Sequence, residues 1–435
     1  MKSTVISKPV LNLNQVIDNA GIPPLQEWIT CNTALLVIHG IGNQDPMETI
    51  DQFGRGLLTQ FGDTITVSHR VASKKAGDGD IWFDNYLRVS KDGSNFYLDI
   101  YEYYWANYTR DKATYVDLSQ WLNDVAKGAN DFYFYDEDKL MGKAYGDHSI
   151  FFDKEGNFRG WLYKFFIRDL PKFFMLLGFA KEGLYKVIAR LPLIGAWGAK
   201  LLESAADNFS HHLIDVISEV TIYNTNDEKS RFYPIRCQIL DGAVNAIRYL
   251  IEHEGDELMA YPKVLIAGHS LGSQISFDAI NRINLLINKE QISIYDKSGA
   301  YLKDPKRNIT DQLSGLVTFG SPLDKIAFFL RMNVPPEQYL RDQMVNNYHG
   351  FKQQNWSLGR GTPKIQIQPA FVRLLDEMKW RNYYDDHDYV SGGLDYYQKV
   401  ANVNCKFKSK WYSFTHSNYW GSADFHQDII REFFH

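Results

Sequence analysis

The chain has 435 residues, enough for two domains or for one large domain carrying insertions. Hydrophobic residues make up 45% and charged residues 23%, a balance that excludes a disordered or collagen-like chain. The formal net charge of -5 argues against general nucleic-acid binding, which needs a basic face.

Cys31, Cys237 and Cys405 are scattered. They offer no C-x-x-C metal spacing and no disulfide framework, so a reducing compartment is expected. Residues 1–32 form a mixed leader punctuated by Pro23 and Pro24. It lacks the apolar core of a secretory signal, so a cytoplasmic location is expected. No stretch reaches the roughly 18 apolar residues that a spanning helix needs.

Thr33–Ile38 (TALLVI) is a continuous apolar run leading into His-Gly, the pattern of a buried parallel strand. Further strands are expected in 64–72 and 95–105. From 111 to 233 the periodicity turns helical, without a strong strand. An amphipathic helix follows over 238–254, then a strand at 263–267 and a helix over 270–287. The polar stretch 289–311 is expected to be a surface loop. Leu313–Phe319 is another buried strand, 370–382 carries one more, and a last helix covers 422–434. Strand and helix thus alternate on both sides of a helical block. That order implies a mostly parallel sheet flanked by helices with a large inserted helical cap. The expected divisions are 1–110 and 234–435 for the two parts of the core and 111–233 for the cap.

The sharpest chemical signal is KVLIAGHSLGSQIS (263–276), which contains G-x-S-x-G as Gly268, Ser270 and Gly272 between a strand and a helix. A nucleophile on such a turn stands clear of the backbone at a helix N-terminus, where developing negative charge is favoured. The glycines let strand and helix pass closely. The segment resembles the nucleophile elbow of the α/β-hydrolase lipases and esterases. The resemblance implies an α/β-hydrolase fold and Ser270 as nucleophile. It also implies an oxyanion hole made by the amides of Leu271 and Ile41, the latter from His39-Gly40-Ile41-Gly42 after the first buried strand.

A serine hydroxyl needs a base, and the base needs an orienting acid. WYSFTHSNYW (411–420) resembles an H-x-x-Y-W stretch near the C-terminus of lipase-like families and selects His416 as base, with His426 as runner-up. WRNYYDDHDYVS (380–391) resembles the acid segment of lipases and selects Asp388. Asp385 and Asp386 compete, and Asp324 is a further alternative. TFGSPL (318–323) resembles a strand end of lipases and is expected to support the pocket.

Residues 161–202 carry seven cations, including Lys164, Arg168 and Lys172 at i, i+4 and i+8, against Asp169 and Glu182. Such a basic amphipathic segment could contact a membrane surface peripherally, as a lid or interfacial anchor. The expected activity is carboxylic-ester hydrolysis of an acyl ester or lipid, needing neither cofactor nor metal. The alternatives are a phospholipase, thioesterase or amidase on the same machinery, an effector lipase acting on a foreign membrane, and a hydrolase-like binding module without catalysis.

Overall fold

The computed structural model describes residues 11–12, 29–41, 44–61, 65–72, 83–109, 120, 123, 126–127, 159–169, 219–220, 222–224, 228–252, 261–292, 305–324, 338–351, 365–366, 371–388, 390–395, 397–407 and 415–434. The chain forms two compact units. One comprises Met1–Gly40, Gln44–Trp105 and Gln238–His435, and the other Ile41–Asn43 and Ala106–Cys237.

The first unit is an α/β structure. Among the described residues its nine strands are β1 (Leu11–Asn12), β2 (Thr33–Ile38), β3 (Ile65–Val71), β4 (Asn85–Lys91), β5 (Tyr97–Tyr103), β6 (Lys263–His269), β7 (Leu313–Phe319), β8 (Lys379–Tyr384) and β9 (Val400–Asn404). They form one sheet in the order β1-β9-β8-β7-β6-β2-β5-β4-β3. Every neighbouring pair from β1 to β5 is parallel, and the β5-β4 and β4-β3 pairs are antiparallel. The chain enters the middle of this sheet with β2. It builds one flank through β5 and the other from β6 outward. Strand β2 therefore lies between β5 and β6, where the direction of winding reverses, and the strand ends at such a switch point open a crevice for ligands.

The central strands are apolar because both of their faces are covered. Leu35 and Val37 of β2 join Leu265, Ala267, Val317 and Phe319 in one core cluster. The alternate side chains Ala34, Leu36 and Ile38 are equally buried. Helices α1 (Glu48–Leu58) and α7 (Ala423–Phe433) contribute Phe53, Leu57, Phe425 and Ile429 to the cluster. Between them come α2 (Tyr233–Ile251), α3 (Leu271–Asn288), α4 (Pro305–Gln312), α5 (Tyr339–His349) and the short α6 (Leu374–Glu377). Helix α3 packs on β6 and β2.

The strands expected at 64–72, 95–105 and 370–382 form as β3, β5 and β8. The expected loop 289–311 instead ends in helix α4. Pro305 suits the first helical position, and Ile309 is the buried residue that seats the helix among polar neighbours. Strand β4 and helix α1 were not expected. In α1, Ile50, Phe53, Gly54 and Leu57 form the buried i, i+3, i+4, i+7 face, but two glycines weaken its helical signature.

Of the second unit, a helical turn (Gly160–Tyr163) continues into a π-helical turn (Lys164–Asp169). Most of the expected cap, including 170–202, lies outside the described residues.

Helix α7 is tied to β8 by charge. The Arg381 guanidinium pairs with Asp428 at 2.8 Å and with Glu432 at 3.0 Å, and Arg431 also pairs with Asp428. The Tyr383 hydroxyl donates to Asp428 at 2.8 Å. Asp428 is buried, so Asp428→Ala removes one of the two carboxylates that face Arg381, leaves the Tyr383 hydroxyl without its acceptor, and should cost about 1–3 kcal/mol in urea unfolding. A loss near zero would mean that the pair does not hold α7.

Candidate active site

Strand β6 ends at His269, and Ser270 turns the chain into α3 with φ 50° and ψ -125°. That is a conformation non-glycine residues seldom occupy, and the surroundings must enforce it. They do so with hydrogen bonds: the Ser270 amide donates to the Phe319 carbonyl at 3.0 Å, and the Ser273 amide donates to the Ser270 carbonyl at 2.9 Å. The Ser273 hydroxyl donates back to the Gly268 carbonyl at 2.7 Å. A Cβ on Gly272 would lie 2.2 Å from the Ile38 carbonyl oxygen, and one on Gly268 would lie 2.6 Å from that of Gly272. The elbow thus fits only because both flanking positions lack side chains. Ser270 is buried, and its Oγ has no hydrogen-bond partner among the described residues.

The end of β2 lies against this turn. Its register pairs Ile38 with Gly268, and a Cβ on Gly40 would stand 2.7 Å from Ser270 Cβ. His39 shapes the corner as a neutral ring. Its Nε2 accepts from the Trp105 amide at 3.0 Å, which leaves Nδ1–H to donate to the Gly40 carbonyl at 2.7 Å. The Trp105 indole stacks on it and donates to the His39 carbonyl at 3.0 Å. Burial pushes the His39 imidazole down to about 4. Leu271 is the first residue of α3, where helix amides have no intrahelical acceptor. Ile41 falls in the second unit, and Gly42 and Asn43 lie outside the described residues.

His416 lies in the turn between β9 and α7, and its Nδ1 meets Asp388 Oδ2 at 2.9 Å and Oδ1 at 3.1 Å. The same carboxylate accepts the Tyr419 hydroxyl at 3.0 Å and the Val390 amide at 3.0 Å. Burial alone would raise the Asp388 carboxyl. The facing His416 imidazole, with hydrogen bonds from His416, Ser391 and the Val390 amide, outweighs it and holds the carboxyl well below the usual carboxylate range. Burial pushes the Tyr419 phenol well above its ordinary value, so it remains a donor.

The competing aspartates have other tasks. Asp385 accepts the amides of His387 at 2.8 Å and Phe407 at 2.6 Å, closing the turn after β8. Asp386 accepts Asn404 Nδ2 at 2.7 Å. Asp324 is buried in the turn after β7. His426 packs against α1, where a Cβ on Gly56 would meet its Nε2 at 2.1 Å, and its ring lies 5.3 Å from Phe53. That ring fills a helix–helix contact.

His416 also reaches the elbow. Its ring lies beside that of His269, tilted by 35° with 4.8 Å between centroids, and the His269 Nε2–H donates to the His416 carbonyl at 3.2 Å. Gly320, at φ 60°, faces both rings: a Cβ there would stand 2.9 Å from His416 Cε1 and 3.2 Å from His269 Nε2. Gly320 of TFGSPL therefore lies beside both imidazoles. The structure brings Ser270, Leu271, His416 and Asp388 to one end of the sheet, sets Gly320 of TFGSPL and Tyr419 of the H-x-x-Y-W stretch beside them, and adds His269, which had no role in the sequence analysis. The H-x-x-Y spacing was the available clue to Tyr419, since one turn of chain brings position 419 back beside the carboxylate that holds 416.

Among the described residues no group of three or more His, Cys, Asp or Glu could hold a metal ion, and no helix is long and apolar enough to cross a membrane. No protein-family model, curated protein or solved structure matches this chain.

The depressed Asp388 carboxyl links the site to pH. It stays ionised in the folded chain where the unfolded chain would protonate. Its contribution to stability is therefore present above the ordinary carboxylate value of about 4 and is lost as pH falls through the lower folded value. In urea unfolding, wild type and Asp388→Asn should differ by a constant gap above about pH 5 that narrows below about pH 4. A gap independent of pH would contradict the assignment.

Proposed function

We propose that this protein is a serine hydrolase of the α/β-hydrolase type, cleaving carboxylic esters through an acyl-enzyme. The observation that carries this reading is the buried Asp388–His416 hydrogen bond on an imidazole 4.8 Å from the ring of the residue that precedes Ser270. With Nδ1–H committed to Asp388, the Nε2 lone pair is the site that takes a proton. Ser270 Oγ attacks the ester carbonyl as its proton passes to His416 Nε2. The resulting imidazolium then protonates the departing alkoxide. Water repeats the sequence on the acyl-enzyme and frees the acid and the serine. The Leu271 amide, at the start of α3, and the Ile41 amide, next in the chain after Gly40, are the proposed oxyanion donors. Ser270 and His416 are not hydrogen-bonded in this conformation, and such contacts commonly tighten only when substrate is bound.

Chain order supports the same reading. Nucleophile after β6, acid after β8 and base after β9 is the Ser, acid, His sequence of these hydrolases. The cap assignment for 111–233 rests on its position between β5 and β6 in the sequence. The proposed substrate is an acyl ester or lipid. Trp161 at 72% and Phe165 at 47% exposure, on the same turns as Lys164 and Arg168, suit contact with a lipid surface.

A fluorophosphonate probe followed by peptide mass spectrometry should place the label on Ser270 and find none on Ser270→Ala. Hydrolysis of p-nitrophenyl esters should fall by several orders of magnitude in Ser270→Ala. In Asp388→Asn it should fall on the order of 10⁴-fold, because the imidazole loses the partner that fixes its tautomer. A wild-type protein that neither labels nor turns over would favour a binding module. Acyl-thioesters and phospholipids in the same assay distinguish the related activities.

A further inference from the structure

The nucleophile and base are 146 positions apart in sequence, yet one side chain joins their backbones. His269 is the residue before Ser270, and its Nε2 lies 3.2 Å from the carbonyl of His416. A carbonyl only accepts, so His269 carries its proton on Nε2. The ring is buried and fixed on several sides: His416 at 4.8 Å, Trp420 edge-on at 4.8 Å and Phe319 at 5.0 Å. The space at Gly320 that admits both imidazoles would close with any larger residue.

We propose that His269 is a positioning residue for the base. By gripping the His416 backbone from the residue next to the nucleophile, it sets the distance and tilt at which the His416 imidazole meets Ser270. The inference rests on the hydrolase reading. His269 does not touch the reacting atoms. Asp388 fixes the tautomer and one edge of the His416 ring, whereas His269 fixes the backbone from which that ring projects. The two controls are independent. The surroundings keep His269 uncharged: burial, and next the neighbouring His416, push it down to about 3. A neutral ring is the appropriate neighbour for a base that becomes an imidazolium during turnover, because a second cation beside it would oppose that charge.

His269→Gln keeps a donor near the position of Nε2, whereas His269→Phe keeps a flat ring and loses the donor. With p-nitrophenyl butyrate as substrate, His269→Phe should lower kcat by about 10²-fold with KM within about twofold, the cost of a displaced catalytic group. Fluorophosphonate labelling should slow in parallel, and His269→Gln should recover at least about tenfold of the lost kcat. Wild-type activity in a folded His269→Phe protein overturns the inference, and so does a Gln variant no better than Phe. Nitrogen-detected NMR of the wild-type histidines supplies a check that needs neither activity nor a variant: His269 should be the Nε2–H tautomer, and an Nδ1–H ring would overturn the proposal. A wild-type protein inert to probe and ester sinks the hydrolase reading instead, whereas a reactive protein indifferent to His269→Phe sinks only the positioning role.

Discussion

A histidine ring can take a proton at only one nitrogen if the other is already committed, and the 2.9 Å contact between His416 Nδ1 and Asp388 makes that commitment. Much of the surrounding architecture keeps this pair in register. The Tyr419 hydroxyl and the Val390 amide occupy the remaining faces of the carboxylate. Asp385 closes the turn from which Asp388 projects by accepting two amides. On the other side, the turn bearing His416 runs straight into α7, which the Arg381–Asp428 ion pair anchors to β8. Two neighbouring strand ends thus deliver the proposed acid and base, and each is independently restrained.

The proposed nucleophile is held by a different means. Ser270 occupies strained backbone, and the compensation comes from close packing that only glycine permits at 268 and 272. The sheet supplies the rest. Because β2 and β6 are neighbours in register, the ends of both strands arrive together at the switch point, and Gly40 lies on Ser270. A strained turn and a stapled acid–base pair are separate constructions, and His269 is the side chain through which they meet.

The sequence made parts of this legible and concealed others. Continuous apolar runs revealed β2, β6 and β7, because strands covered on both faces need no polar alternation. Strand β4 left little trace because it buries few residues within a polar segment, and helix α4 because its sequence is polar around Ile309. Helix α1 was concealed by Gly54 and Gly56, one of which is needed where His426 packs against it. At the site, G-x-S-x-G carries its own local geometry and so could be read directly. The acid could not be chosen with the same certainty from DDHD, because Asp385, Asp386 and Asp388 differ only in what the fold brings to them: two amides, an asparagine and an imidazole. His269 was illegible for the same reason, and Gly320 was legible only as part of TFGSPL, as their contacts exist only between segments distant in the chain.

The central claim is that His416 serves as base to Ser270, and a crystal structure of the protein after reaction with a phosphonate ester tests it most directly. The account expects phosphorus bonded to Ser270 Oγ, His416 Nε2 within about 2.6–3.2 Å of that oxygen or of the adjoining phosphonyl oxygen, and the Leu271 amide on a phosphonyl oxygen. An adduct at Ser270 with the His416 ring turned away and another group at that position would contradict it.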